Sequence, residues 1–576
     1  MPHLTRRQLL ASAAGTALIG SAVSDQASAA DAQARRSVPH ELDAFIRDYM
    51  KAMDAPGLTL ALADARGTVA VATYGWVDPA AGTAVSIHHR FQIGSISKSF
   101  VAIGILQLQD EGRLDVHDQV SRPLPWLPAE TSFGEISLHH LLTHTSGMPG
   151  DDPVFPDCME RRSRQASAPG THFHYSNWGY AVLGLVIESV EGVSIAESIR
   201  RRILAPLGMN DSAGGIVTRG NARMAQSYMP SMLDRPFVRG AALAVAPCLI
   251  VQDASGCVAA TPGDMAQYLQ MLVNQGAAPG GHILSRQGFD LFSAHHTSAD
   301  EFGNGASYGY GIAVDEFDGH RRLRHTGGMV SFMSSLQVDL DARVAAFSSV
   351  NAQLGYRPDA VTEYALRLMR AAAEKRKAPA APPTDELTRV ETPNEYTGSY
   401  REPGGHSVTV AAHGPYLFLS DGGRTWPMQV VDEDTFAVDD PAWMPFSLRF
   451  ERESPRADGA RPVVIALDHG ERQYFRDGQN RPGNPGSPDL RAYPGTYHSE
   501  DPWHGTVRIL ARGQRLWFEA GSSVPMKPIG PSLFRFDNAP DSPETCEFGH
   551  FVSGRAQTLL NSGVMFRRIG DAGWPA

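Results

Sequence analysis

Lysine is scarce in this chain of 576 residues, where only five of the 51 basic residues are lysine and the rest are arginine. Lys98 is the only lysine between Lys51 and Lys375. Arginine keeps its proton in proteins, whereas lysine can act as a base when its surroundings lower its pKa. An isolated lysine in such a chain therefore indicates a position where a removable proton matters.

Strong positive charge is also lacking. The formal net charge is −11, and the densest basic cluster, residues 375–377, is only three residues long. No basic stripe is available to neutralise phosphates, which argues against a nucleic-acid partner.

Cysteine is rare as well, with four in the chain, and no CxxC or Cys/His spacing suggests a zinc site. An exported chain can oxidise its cysteines, and four allow three full pairings. Cys248 and Cys257, nine residues apart, are the favoured pair. We expect no metal and no cofactor.

The N-terminus has the three parts of an export signal. Arg6 and Arg7 are followed by a weakly apolar run from Leu9 to Val23 and a small-residue cleavage site at residues 27–29. The paired arginines suggest the twin-arginine route. The run is shorter than the ~20 residues that span a bilayer, and no later run is long enough. We expect cleavage, no stable membrane insertion, and a periplasmic or secreted product.

Two proline-rich stretches divide the rest of the chain, and such stretches are typical of linkers. The two segments after them both open with Y-x-G-x-Y, at Tyr396 and Tyr493, and continue with alternating strand patterns, which indicates an internal repeat of small antiparallel β-barrels. The predicted organisation is a signal peptide at 1–29, a first domain at 36–375, a linker at 376–390, a barrel at 391–477, a linker at 478–489 and a barrel at 490–576.

The first domain has mixed patterns. Residues 57–64 and 67–75 read as paired strands, and residues 331–340 and 343–351 as late strands. Two helices are predicted between them, a buried one from Ser95 to Glu111 and one from Asn177 to Gly192. Terminal strands around a helical middle predict an α+β fold, an antiparallel sheet with helices packed on it.

The first helix opens with a serine and a lysine, Ser95 and Lys98, three residues apart and hence on one helix face. A serine hydroxyl is a poor nucleophile until a base takes its proton, and a lysine with a lowered pKa can be that base. Ser95 would also lie at the helix N-terminus, where free N–H groups favour a developing oxyanion.

Two further motifs follow in order, Tyr175-Ser176-Asn177 and His325-Thr326-Gly327, with flanking stretches such as LLTHTSGMPG. With S-x-x-K, Y-x-N and H-x-G, residues 40–370 resemble the serine β-lactamase and penicillin-binding-protein-like hydrolases. The branch concerned holds class C β-lactamases, D-alanyl-D-alanine carboxypeptidases, D-aminopeptidases and related esterases. The resemblance implies a β-lactamase/transpeptidase-like catalytic domain.

The resemblance also implies roles for the motif residues. Ser95 would become acylated, and Lys98 and Tyr175 would share the proton transfers. Either could be the base, because the adjacent ammonium would lower the pKa of Tyr175. Asn177 would bind Lys98 and the substrate amide, and Thr326 and Gly327 would line the substrate. The backbone N–H groups of Ser95 and Gly328 would form the oxyanion hole.

His325 departs from the family's usual lysine. Histidine is only partly charged near neutral pH, which argues against recognition of a substrate carboxylate and suits D-aminopeptidases and some esterases. Together with the two-barrel tail, this predicts a D-aminopeptidase-like amide hydrolase that acts on a small molecule or short peptide. Alternatives are an esterase, β-lactamase or D-alanyl-D-alanine carboxypeptidase on the same scaffold, or an acyl-binding sensor without turnover. Oligomer formation is left open.

Two other patterns are weaker. Ser307 lies in a literal G-x-S-x-G, but a strand pattern follows it instead of the helix that an α/β-hydrolase requires. His140 and His144 have the spacing of metal ligands without the accompanying glutamate. We expect them in a structured loop beside the active site.

Overall fold

The computed structural model describes residues 38–572 apart from residues 128, 131, 156–162, 217–222, 248, 252, 354, 356, 386–387, 454–460, 480–489, 502 and 538–541. The predicted signal peptide and most of the second predicted linker lie outside the described residues. The α-helices are α1 His40–Met53, α2 Ser97–Asp110, α3 Leu138–Leu142, α4 Asn177–Glu191, α5 Ile195–Ile199, α6 Pro262–Val273, α7 Arg286–Phe292 and α8 Asp359–Ala373.

The first part of the chain forms a nine-stranded antiparallel sheet. Its order is β4-β5-β6-β7-β8-β9-β1-β2-β3, so the first strands of the chain pair with the last strands of this part. The strands are β1 Gly57–Asp64, β2 Gly67–Asp78, β3 Thr83–Ala84, β4 Thr297–Ser298, β5 Ser307–Tyr308, β6 Ala313–Phe317, β7 His320–Gly328, β8 Met333–Asp339 and β9 Val344–Val350.

Short strand pairs and turns connect these elements. The pairs are Phe91–Gln92 with Ala259–Ala260, Ala129–Glu130 with Ser163–Arg164, Tyr228–Pro230 with Leu243–Val245, and Ala277–Ala278 with Gly281–His282. Short 3₁₀ helices occur at Gly94–Ile96, Asp300–Phe302, Pro393–Glu395 and Leu490–Ala492, and a π-helical turn at Arg200–Leu204.

Helices cover both faces of the sheet. Along β1, Leu58, Leu60 and Leu62 face a core shared with α1 and α8, whereas Ala61 and Ala63 face a second core shared with α2, α4 and α6. This alternation is the period-2 pattern of a strand, and it is apolar on both sides because both faces are buried. The predicted α+β class is confirmed.

The predicted buried helix is α2, which lies in the larger core. Eleven of its fourteen residues are buried, including Lys98, which has no exposed surface. Its α-helical part begins at Ser97 instead of Ser95, because the preceding residues form a 3₁₀ turn. Gly112 lies just past its end in the left-handed conformation, at φ +69°.

Two antiparallel β structures follow. The first is a nine-stranded sheet in the order β13-β12-β11-β10-β18-β17-β16-β15-β14, whose two edge strands are separated in the chain by Met428 alone, so it is nearly closed. Its strands are β10 Gly398–Arg401, β11 Ser407–His413, β12 Tyr416–Asp421, β13 Arg424–Pro427, β14 Gln429–Asp432, β15 Thr435–Ala437, β16 Leu448–Arg452, β17 Val464–His469 and β18 Arg472–Arg476.

The second is a closed eight-stranded barrel in which each strand pairs with the next and the last pairs with the first. Its strands are β19 Gly495–His498, β20 Thr506–Arg512, β21 Arg515–Ala520, β22 Ser522–Gly530, β23 Leu533–Phe536, β24 Thr545–Gly549, β25 Thr558–Asn561 and β26 Val564–Gly570. We call these two structures the first and second barrel. The exact domain boundaries stay a prediction.

The repeat motif makes the same contact in both barrels. The Tyr400 hydroxyl donates to the carbonyl of Tyr396 at 2.6 Å, and the Tyr497 hydroxyl donates to the carbonyl of Tyr493 at 2.7 Å. In each case the second tyrosine lies in the barrel core. In each barrel, the second tyrosine of the Y-x-G-x-Y pattern therefore fixes the backbone just before the first strand.

Two other sequence predictions can be compared with the structure. Cys257 is a buried free thiol. Its predicted partner, Cys248, lies outside the described residues, so the pairing stays a prediction. Cys257 lies within the larger apolar core, where burial raises the pKa of its thiol. Among the described residues, no helix is both long enough and apolar enough to cross a bilayer.

Candidate active site

Ser95 and Lys98 face each other at the start of α2. The Lys98 ammonium donates to Ser95 Oγ at 3.1 Å, to Asn177 Oδ1 at 2.6 Å and to the backbone carbonyl of Ser255 at 2.9 Å. The 3₁₀ turn that carries Ser95 is held against the end of β7. The three-residue spacing therefore places both side chains on one face, as predicted.

The surroundings of Lys98 favour its neutral form. Burial lowers its pKa from 10.5 to about 7, and the nearby carboxylates of Asp253 and Asp151 oppose this shift only in part. Removal of water around an ammonium disfavours the charge. A substantial fraction of Lys98 is therefore neutral near pH 7 and able to accept a proton.

Tyr175 also lies beside Ser95, close enough for the two side chains to interact. The Lys98 ammonium lies 4.8 Å from the centre of the Tyr175 ring. From the sequence, this ammonium is predicted to lower the pKa of the phenol. The structure shows the reverse, because burial raises the pKa of Tyr175 well above 10.

Asn177 completes the group as the first residue of α4. Its amide oxygen accepts from Lys98, and its amide nitrogen donates to Asp151 Oδ1 at 2.7 Å. Ser176 caps the helix by accepting from the backbone N–H of Gly179 at 3.1 Å. The cap explains why the Y-x-N motif sits at a helix start and why Asn177 points at Lys98.

The last motif lies at the end of β7, where glycines allow close approach to the 3₁₀ turn that carries Ser95, which we call the nucleophile turn. A Cβ on Gly327 would lie 1.9 Å from the carbonyl oxygen of Ile93, and one on Gly94 would lie 2.6 Å from the carbonyl oxygen of Gly328. Gly94 also has φ +54°, which favours glycine. This contact brings the backbone of Gly328 beside Ser95, and Thr326 lies between His325 and Gly327 on the same strand.

His325 is buried and held in one tautomer. Its Nδ1–H donates to the carbonyl of Thr326 at 2.6 Å, so Nε2 accepts from the hydroxyl of Tyr308 at 2.9 Å. Burial, together with the Lys98 charge, lowers the pKa of His325 to about 3. His325 is thus neutral at physiological pH and supplies no positive charge to a substrate.

His144, placed by the sequence analysis in a loop near the site, lies directly behind it. Its ring centre is 4.4 Å from that of Tyr175, and its Nδ1 accepts from the backbone N–H of Ser176 at 2.9 Å. It is fully buried, and burial lowers its pKa well below 6.5. His140 instead caps α3 through a reciprocal contact with Ser137.

Several charged residues around the site were missed by the sequence analysis. Glu544, from the loop before β24 of the second barrel, accepts from the backbone N–H of Gly150 at 2.6 Å and lies 2.8 Å from His174 Nε2. Burial raises the pKa of Glu301, and the nearby backbone N–H of Tyr175 opposes this shift in part.

One arginine accompanies these acids. A Cβ on Gly328 would lie 3.3 Å from Arg357 Nη2. The Arg357 charge acts to lower the pKa values of both Tyr175 and His325. The site therefore has carboxylates on the Asn177 side and a guanidinium on the β7 side.

Ser307 does not join this group. It lies on β5, where its hydroxyl contacts His295 Nδ1 at 2.6 Å and donates to the carbonyl of Val314 at 3.1 Å. The expected strand setting is confirmed, because Ser307 lies on β5 and is followed by β6 instead of the helix that an α/β-hydrolase elbow requires.

Among the described residues, one group brings metal-ligating atoms together, at His320, Asp339 and Asp341. Arg370 Nε lies 3.2 Å from Asp339 Oδ2, so a positive charge already occupies this position. The group lies at the far end of β7 and β8 from Gly328.

Comparison with known proteins agrees with this arrangement. The sequence model of the β-lactamase family matches residues 42–370. Penicillin-binding protein 4* of Bacillus subtilis is 23% identical over 382 residues, which cover 61% of this chain and 81% of that protein. Penicillin-binding protein 4 of Amycolatopsis lactamdurans is 28% identical over 276 residues, which cover 45% of this chain and 71% of that protein.

A solved structure shares the fold. The octameric penicillin-binding protein homologue from Pyrococcus abyssi superposes with a TM-score of 0.53 at 24% identity, covering 76% of this chain and 99% of that one. The family match spans more than half of the chain, and it includes all three motifs that meet at Ser95. The protein therefore belongs to the β-lactamase family of serine hydrolases.

Proposed function

We propose that this protein is a D-aminopeptidase-like amide hydrolase that works through an acyl-enzyme on Ser95. Neutral Lys98 takes the proton of the Ser95 hydroxyl as Oγ attacks the substrate carbonyl. The resulting oxyanion accepts hydrogen bonds from the backbone N–H groups of Ser95 and Gly328. The C–N bond then breaks, and the leaving amine takes a proton from the Lys98–Tyr175 pair.

The directions of the pKa shifts support different roles for Lys98 and Tyr175. With a pKa of about 7, Lys98 can both accept and return a proton near neutral pH. Tyr175 stays a neutral phenol, so it donates to Oγ or to the leaving nitrogen and passes the proton of Lys98 onward. Water then attacks the ester, with Lys98 as base, to release the acid and restore Ser95.

The position of Glu544 is the observation that supports a substrate with a free amino group. The second barrel places the Glu544 carboxylate at the edge of the active site. Glu301 and Asp151 add negative charge on the same side. An acidic rim beside a serine nucleophile favours a substrate with a free ammonium next to its scissile carbonyl. Neutral His325 fits this choice, because it offers no cation for a carboxylate.

The proposal is tested with D- and L-phenylalanine p-nitroanilides, the N-acetylated D-anilide, a short p-nitrophenyl ester and a chromogenic cephalosporin, each against Ser95→Ala. We expect hydrolysis of the free D-anilide at least tenfold above that of its N-acetyl form, and loss of this activity in Ser95→Ala. Turnover of the ester alone would refute the amide hydrolase.

Arg357 favours a second candidate, a carboxypeptidase or β-lactamase activity on the same scaffold. Its guanidinium lies beside Gly328, where it can pair with a carboxylate on the leaving side of the substrate. Efficient hydrolysis of the cephalosporin, lost in Arg357→Gln but kept in Glu544→Gln, would select this alternative.

Export by the twin-arginine route remains part of the proposal. A periplasmic or secreted location would bring the enzyme to small D-amino-acid-containing molecules outside the cytoplasm. Fractionation of cells that express the full chain, compared with an Arg6→Lys, Arg7→Lys variant, tests this route.

A further inference from the structure

A cavity of about 550 Å³ lies where the first domain and both barrels meet. Residues 229–237 of the first domain form one wall, β14 of the first barrel forms another, and residues 503–507 with β21 of the second barrel form the third. Its volume falls within the ~300–1,000 Å³ range of small-molecule sites, which occur preferentially at domain interfaces.

The walls combine uncovered apolar side chains with charges of both signs. Met232, Leu233 and Trp503 line the cavity and are still 46–49% exposed. Arg235 and Asp432 line it as well, one from the first domain and the other from the first barrel. This combination complements a ligand that has an apolar body and both a positive and a negative group.

The cavity is held together by contacts between the domains. Arg508 of β20 donates to Asp234 Oδ2 at 2.8 Å, and the backbone N–H of Arg239 donates to Gln429 Oε1 at 2.7 Å. Both contacts join the 229–239 region to a barrel. A ligand between these walls therefore enters a site whose sides are already positioned.

One wall leads directly to the active site. Asn561 lines the cavity, and its side chain donates to the carbonyl of Thr545 at 3.2 Å and contacts Cys546 Sγ at 3.4 Å. Thr545 follows Glu544, whose carboxylate contacts His174. Asn561 and Glu544 are thus linked through the single residue Thr545.

Another wall also leads toward the active site. Gly355 lines the cavity, with φ +73° and a packing contact with Phe237 that leaves little room for a side chain. Arg357, two residues later, lies beside Gly328. The same cavity therefore borders the segments that carry both charged ends of the active site.

We propose that this cavity is a second ligand site for small zwitterions with an apolar side chain, the class of free hydrophobic amino acids and dipeptides, and that its occupancy changes turnover by moving Glu544. Binding at the cavity stands independently of the proposed function. Only the effect on turnover rests on that function and on the role of Glu544 in it.

Binding is tested by calorimetric titration of the full protein with D- and L-phenylalanine, 3-phenylpropionate and phenethylamine. Val431→Trp places a large ring at the cavity wall, and Val552→Trp is the matched control, since Val552 is an exposed valine outside the cavity. We expect a phenylalanine site that weakens at least tenfold in Val431→Trp only, and at least tenfold weaker binding of the two singly charged probes.

Equal phenylalanine binding by Val431→Trp and the parent, or no binding by the parent, would overturn the site. Comparable binding of a singly charged probe would overturn the zwitterion class. Because calorimetry needs no turnover, these results are distinguishable from failure of the proposed function.

The link to the active site is tested with Asn561→Asp, which removes the amide donor to Thr545 while keeping the side-chain size. The matched control is Gln557→Glu, whose amide donates to Arg555 away from the cavity. Saturating phenylalanine should change kcat/KM at least threefold in the parent and in the control but not in Asn561→Asp. An equal response in Asn561→Asp, or no response in a parent that binds the probe, would overturn the coupling.

Discussion

Glu544 of the second barrel lies 2.8 Å from His174 of the first domain, across 370 residues of chain. The same carboxylate accepts from the backbone N–H of Gly150 at 2.6 Å. His174 immediately precedes Tyr175, which lies beside Ser95. The tail of the protein thus takes part in the boundary of the candidate active site.

The Glu544→Gln variant should lose preference for a free ammonium. Glutamine keeps the size and an acceptor oxygen but removes the negative charge, so we expect KM for the D-phenylalanine anilide to rise about tenfold, which corresponds to ~1.4 kcal/mol. KM for the N-acetylated anilide or a neutral ester should change less than twofold. Equal loss on both substrates would show that Glu544 acts only through the fold.

The pKa of Lys98 sets the pH dependence of acylation. Since the neutral amine is the base and its pKa is about 7, kcat/KM should rise about tenfold per pH unit below pH 6 and level off above pH 8. Rates measured from pH 5 to pH 9 check this. A flat profile across pH 7 would contradict the assignment of Lys98 as the base.

Lys98→Arg tests why lysine stands at this position. Arginine keeps a positive charge and hydrogen-bond donors but cannot release its proton. We expect the variant to fold and to lose at least a thousandfold in kcat at every pH. Activity close to that of the parent at neutral pH would indicate that the positive charge alone matters.

Tyr175→Phe should lower kcat without moving the pH midpoint. Its pKa lies too high for it to be the base, so the expected loss of about 10² to 10⁴ reflects proton delivery and positioning. A shift of the midpoint away from pH 7 in this variant would mean that Tyr175 takes part in the observed ionisation.

Gly327→Ala should separate β7 from the nucleophile turn. The new Cβ would lie 1.9 Å from the carbonyl oxygen of Ile93, and overpacking of this kind costs ~1–3 kcal/mol or more. The thermal unfolding temperature and the activity should both be lower than those of the parent. Gly263→Ala in α6 is the control, because no atom lies within 4 Å of its added Cβ, and its stability should stay the same or increase.

Much of the first domain follows from local pattern. The β1–β2 pair, the buried α2 and the capped start of α4 were predictable because alternation, helical apolar spacing and a serine before Asn177 are local signals. The Y-x-G-x-Y repeats predicted two related β units. The start of α2 differs, because the 3₁₀ turn at Ser95 depends on its contact with β7.

The charged surroundings of the site were not predictable in the same way. Glu544 and Arg357 reach the active site only through tertiary packing, and nothing in their neighbouring sequence marks them. The expected lowering of the Tyr175 pKa was wrong because sequence spacing shows which charges are adjacent but not how much water is excluded. The sequence predicted that His325 is only partly charged near neutral pH. Burial lowers its pKa to about 3, so the ring is neutral there.

Mass spectrometry can show whether Ser95 carries an acyl group during amide hydrolysis. The protein is quenched during turnover of D-phenylalanine p-nitrophenyl ester or anilide and then digested. We predict one phenylalanyl adduct on the peptide that contains Ser95, absent from Ser95→Ala. An adduct on the peptide that contains Ser307, or undiminished turnover by Ser95→Ala, would contradict the account.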